Sequence, residues 1–167
     1  HRIMMWDGGL CSVLTTITQT AGPAPDRPGR TAHHLVLSPA ERPTIGPVPL
    51  VVSGWFREHW DEGAPPGDTP DPLPHHCELP PCPGIDPEWI RLLSRRVHAH
   101  APTAILVPGP ARCIDVLAAI ERTTAPGQQW ELTFLTNSDR MRDGVLLLAA
   151  QADTSPAARI AAAKEGV

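Results

Sequence analysis

Lysine is almost missing from this sequence: of 14 basic residues only Lys164 is a lysine, and the arginines are scattered along the chain. Affinity for a phosphate backbone comes from clustered cations that release counterions. With a net charge of -4 and no basic cluster, the sequence argues against nucleic acid, and none is expected as a partner. Long apolar runs are missing as well. No stretch approaches the roughly 20 apolar residues that span a bilayer, and no basic-then-apolar leader precedes the first strand-like segment. The expectation is a soluble, cytoplasmic chain without a membrane partner. His1 in place of methionine, followed at once by Ile3-Met4-Met5-Trp6, reads as a fragment of a longer protein. Cysteine is limited to Cys11, Cys77, Cys82 and Cys113, too few and too dispersed for a disulfide-stapled framework, which agrees with a reducing compartment.

Complete catalytic frames are absent too. None of Ser12, Ser38, Ser53, Ser94, Ser138 and Ser155 lies in the Gly-x-Ser-x-Gly setting that exposes a nucleophile at a strained turn. Cys113 sits in or beside an apolar helix face and reads as a small buried hydrophobe. Val107-Pro108-Gly109-Pro110 joins a strand to a helix, where α/β proteins bind phosphate on free N–H groups. Its two prolines remove those donors, and no nucleotide-binding glycine pattern occurs.

What is present is enough for one ordinary domain over residues 1–167: 41% of the residues are apolar and 19% charged. At this length folding buries about two thirds of the unfolded chain's surface. The pattern predicts an α/β (or α+β) class, with a mixed sheet, an N-terminal β-hairpin and a C-terminal strand-helix-strand unit. Ile3 to Trp6 and Cys11 to Thr18 are β-prone, and Asp7-Gly8-Gly9 supplies the positive φ angles of a tight turn. Ala21 to Arg30, with three prolines and two glycines, reads as a loop. His34 to Leu37 and Leu50 to Val52 read as short strands, the second at a sheet edge because of its neighbouring prolines. Residues 63–87 carry a proline every two or three positions and read as an extended loop or linker. Asp86-Pro87-Glu88 then caps a helix expected to run to His100, burying Trp89, Ile90, Leu93 and Val97. A strand over Ala104 to Val107, a helix over Ala111 to Arg122 and a strand over Trp130 to Thr136 suggest a parallel crossover. Val145 to Ala149 reads as a last strand and Pro156 to Lys164 as a terminal helix.

Three clusters carry candidate chemistry. His75, His76, Cys77 and Cys82 are zinc-type ligands, but their spacing is half of a structural zinc motif and Pro80-Pro81 stiffens the gap. A zinc-stapled module and an ordinary Pro-rich loop both fit; no metal or other cofactor is expected. Arg30 and Thr31 precede His33-His34 at the start of an apolar strand. Neighbouring residues on a strand face opposite sides, so one imidazole packs inward and the other meets solvent. A structural pair and a small-ligand or acid/base site remain open there, the latter making the chain an enzyme or ligand-binding domain. Trp55, Phe56, Arg57 and Trp60 form a dense aromatic and charged segment in a chain with 4% aromatics. They read either as core or as anchors of a protein interface, where Trp and Arg dominate binding energy.

One stretch adds a resemblance. Pro28-Gly29-Arg30-Thr31-Ala32-His33-His34-Leu35-Val36-Leu37 resembles the N-terminal module of the bacterial GTPase-associated proteins of multigene conflict systems. The order of later features resembles that family as well: Gly46-Pro47, Gly54-Trp55-Phe56 with Trp60, Ile105-Leu106-Val107-Pro108, and Trp130-Glu131-Leu132-Thr133-Phe134. The resemblance implies a non-enzymatic adaptor whose protein partners are a GTPase or sibling modules, acting in a defence response.

Overall fold

The computed structural model describes residues 1–24, 27–53, 56, 79, 84–107, 112–136 and 145–151. The first strand, β1 (Arg2–Trp6), pairs antiparallel with β2 (Gly9–Ala24), and Trp6 lies opposite Gly9. Two residues therefore make the turn, Asp7 at φ 46° and Gly8 at φ 77°. Both positive values match the right-handed twist of the strands they join, and the glycine takes its value without cost.

The loop expected over Ala21 to Arg30 is instead the far half of a long hairpin. Strand β3 (Arg27–Leu37) pairs with β2 from Ser12 opposite Leu37 to Ala24 opposite Arg27, with a register shift between Thr20 and Ala24. Beyond Val13 the described partner of β2 is β3 alone, since β1 ends its register there. Pro23 and Pro28 both fall in the stretch between the Thr20/Gly29 and Ala24/Arg27 pairs where the register is interrupted, a place in a strand pair that tolerates a missing N–H.

Leu50 to Val52 is not a strand either. It forms the end of helix α1 (Pro47–Val52), which buries Pro47, Val48, Pro49 and Leu50. Its prolines occupy the first turn, where N–H groups have no intrahelical partner, so the residues that spoke against a central strand are compatible with a helix start.

Helix α2 (Pro87–His98) begins as the sequence predicts, with the Asp86 carboxylate accepting from the Glu88 N–H at 2.9 Å. Ile90, Leu93, Ser94 and Val97 form its buried face. It stops two residues early. The His100 N–H donates to the Val97 carbonyl and the Ala101 N–H to the Arg96 carbonyl, the paired bonds of a Schellman end.

Strand β4 (Thr103–Val107) and helix α3 (Cys113–Arg122) follow. The Arg112 guanidinium grips both Asp115 oxygens at 3.1 and 2.8 Å, and holds that carboxyl below its usual range. The strand predicted over Trp130 to Thr136 is shorter: Gln129–Glu131 is a 3-10 turn and only β5 (Phe134–Thr136) is extended. Strand β6 (Leu147–Gln151) lies between β4 and β5 and is parallel to both. The α/β class holds, while antiparallel and parallel pairing are divided between two three-stranded sheets instead of mixed in one. The predicted helix over Pro156 to Lys164 lies outside the described residues.

One core cluster gathers Leu93, Val97, Ile105, Val107, Val116, Leu117, Ile120, Leu147 and Ala149 between the parallel sheet and helices α2 and α3. A second joins Leu14 and Leu37 of the antiparallel sheet to Leu50, Phe56 and Trp130. Helix α1 serves both, giving Val48 to the first and Leu50 to the second. A backbone pair fastens the two sheets: the His1 nitrogen donates to the Phe134 carbonyl and the Phe134 N–H to the His1 carbonyl, each at 2.9 Å.

Candidate functional site

Strand alternation separates the residues expected to form one site. His33 is half-buried on the inner face of β3, its ring edge-on to Phe56 at 5.1 Å. His34 faces outward, exposed, with its Nδ1 2.9 Å from the hydroxyl of Thr15 directly across the strand pair. Arg30 is exposed opposite Gln19, and Thr31 lies opposite Thr18. The two imidazoles thus stand on opposite faces, as period-two alternation requires, and converge on no common ligand. Phe56 corrects the interface reading of its segment at that position: it is 7% exposed and belongs to the core around Trp130. Trp55, Arg57 and Trp60 lie outside the described residues, as do the zinc-type residues His75, His76, Cys77 and Cys82. Among the described residues no group of three or more His, Cys, Asp or Glu is arranged to hold a metal ion, and no helix is long and apolar enough to cross a membrane.

Exposed apolar surface is concentrated on the antiparallel sheet. Met4, Met5, Leu10 and Ile17 are four of the five large apolar side chains exposed among the described residues. Their faces follow from register. Met5 opposes Leu10 and continues the inner face beyond Leu14, whereas Met4, Val13, Ile17 and their partners Val36 and Ala32 share the outer face. An antiparallel sheet with one solvated face ordinarily shows polar residues there. Here the outer face carries Met4 at 40% and Ile17 at 64% exposure, with the polar pair Thr15 and His34 lying between the Val13/Val36 and Ile17/Ala32 pairs.

A second concave feature lies where α2 and α3 end. A cleft of about 420 Å³ is lined by His98, His100, Thr124, Gln128 and Glu131 over the apolar Val97, Leu132 and Leu146. His98 Nε2 is 3.2 Å from the Thr124 hydroxyl, which itself donates to the Ile120 carbonyl. In the tautomer whose Nε2–H donates to that hydroxyl, Nδ1 is left as an acceptor. His100 occupies the residue after the helix cap at φ 53°, a left-handed position that glycine fills at less cost. Sequence reading treated His98 and His100 as a helix end. The signal available was the absence of glycine before Pro102, at a place where helices commonly end on one.

The core also contains polar atoms without hydrogen-bond partners: His1 Nε2, Ser12 Oγ, Arg42 Nε and Glu121 Oε1. Two of them border Trp130. Its indole N–H is shared between the Pro43 and Ile45 carbonyls at 3.1 and 3.0 Å, the His1 ring meets it edge-on at 5.6 Å, and the Arg42 guanidinium lies 5.9 Å over its face. Glu121 is fully buried on α3, and its Oε2 accepts from the Val48 N–H at 3.0 Å. Burial pushes its carboxyl up to about 7, against the opposing effect of the Val48 bond. A carboxyl so placed organises the start of α1 and has no described path to a substrate.

The described architecture is that of a small α/β protein with one antiparallel and one parallel three-stranded sheet. No family model, no curated protein and no solved structure matches the chain.

Proposed function

We propose that the chain is a non-enzymatic, cytoplasmic partner-binding module that docks a protein on the outer face of its antiparallel sheet. The observation that carries this reading is the exposure of Met4 and Ile17 beside Val13, Val36 and Ala32 on a face that is ordinarily polar, the Thr15/His34 pair between them adding hydrogen-bonding groups. Such side chains release water on docking and contribute in proportion to the apolar area covered. The sequence resemblance to GTPase-associated proteins makes a GTPase encoded beside the chain, or a sibling module, the first partner to try.

Pairwise co-purification with each of those proteins tests the proposal. Wild-type chain is expected to retain one of them, and the Met4→Asp, Ile17→Asp double variant to retain about tenfold less while keeping its circular dichroism and urea midpoint. Both positions are exposed, so the charges enter solvent and the fold should tolerate them. Equal retention by the variant removes the sheet face as the docking surface. Turnover of a substrate that depends on His33 or His34 would replace the adaptor reading by an enzymatic one.

A further inference from the structure

We propose that the cleft at the ends of α2 and α3 binds a small organic cation, a short-chain primary amine in its ammonium form. Its size lies within the range of pockets that enclose small ligands, roughly 300–1,000 Å³, at about 420 Å³. Its lining offers acceptors. Among the described residues Glu131 is the one carboxylate in the lining, and no lysine or arginine lines the cleft.

The nearby arginines keep their charge but point hydrogen bonds away from the cleft lining: Arg96 Nε donates to the Thr103 hydroxyl and Arg122 to the Leu79 carbonyl. The C-terminal ends of two helices, at His98 and Arg122, turn the negative ends of their dipoles this way, offset in part by Arg95 and Arg96 in the last turn of α2 and Arg122 in that of α3. An ammonium group brings three donors and no acceptor, which suits a carboxylate, an imidazole nitrogen and hydroxyl lone pairs. Val97, Leu132 and Leu146 supply apolar surface for a short alkyl body.

His98 is held in one orientation by Thr124. His100 stands on the cleft wall from a left-handed backbone position where glycine would cost less. A position that bears an imidazole against the local backbone preference is the kind of feature found where strain serves a site. This site shares no residue with the outer face of β1, β2 and β3, so the two proposals stand or fall separately.

n-Butylammonium chloride is the probe and sodium butyrate the control, each titrated at pH 8 and constant ionic strength into the whole chain. The readouts are calorimetry and the imidazole proton shifts of His98 and His100. Saturable binding of butylammonium, with no saturable response to butyrate, is expected. Glu131→Gln should weaken that binding by about tenfold, the scale of one charge-assisted hydrogen bond. His100→Gly should raise the urea midpoint and still weaken butylammonium binding. An absence of saturable shifts, an equal response to butyrate, or binding indifferent to Glu131→Gln overturns the proposal. A lower urea midpoint in His100→Gly overturns the role given to His100.

Discussion

Glu121→Gln is expected to make the protein more stable than wild type at pH 8 and about equal to it at pH 5. The wild-type carboxyl is fully buried, accepts one bond from the Val48 N–H and leaves Oε1 without a partner. Burial disfavours its charged form, so its folded-state value rises from 4.5 to about 7. Between those values the folded state holds a proton that the unfolded state has released. Stability is therefore fully present below about pH 4.5, falls as pH rises through the window, and levels off above about 7. The gap corresponds to about 3 kcal/mol at roughly 1.4 kcal/mol for each pH unit, a large share of the 5–15 kcal/mol by which domains are ordinarily stable. Glutamine keeps an oxygen for the Val48 N–H and carries no charge, so its profile should be flat across this window. Urea unfolding of both proteins at several pH values measures the difference. Parallel profiles for the two would show that Glu121 does not titrate between its folded and unfolded values.

Gly46→Ala is expected to cost about 2–3 kcal/mol or more, the upper range for overpacking a core. A methyl group there would stand 2.2 Å from Glu121 Oε1, 2.5 Å from its carboxyl carbon and 2.8 Å from the Gln129 Cβ. A flexible side chain usually swings aside at small cost. Glu121 has no such freedom, because it is fully buried and tied to Val48. The conflict is thus one of space, since Gly46 itself has an ordinary extended backbone with φ −77°. A double-mutant cycle separates this conflict from any general loosening of α1. In a Glu121→Ala background the same Gly46→Ala change should cost appreciably less, because the carboxyl it strikes is gone. Equal cost in both backgrounds would place the damage in the Gln129 contact or in the helix start.

Where these two residues meet, the sequence is silent: Gly46 and Glu121 are far apart along the chain, and nothing in their neighbours announces the contact. The elements that were legible rest on short-range rules. Asp7-Gly8 specifies a two-residue turn, Asp86-Pro87-Glu88 a capped helix start, and the apolar spacing from Trp89 to Val97 a single buried face. The misreadings arose where a local signal had two physical outlets. Prolines at 47 and 49 exclude a central strand, yet the first turn of a helix accepts them equally well. Pro23 and Pro28 suggest a loop, yet an irregularity in a strand pair accommodates their missing N–H groups as well.

The sequence by itself determined the α/β class from its alternating patterns, and the tight hairpin and the capped start of α2 because the backbone bonds that define those two span at most a few residues. Only the tertiary structure decided that Phe56 is core, that β6 inserts between β4 and β5, and that His98, His100 and Glu131 share a cleft. Each of those depends on which surfaces meet across long separations, and burial, unlike a turn or a cap, is a property of the partner as much as of the residue.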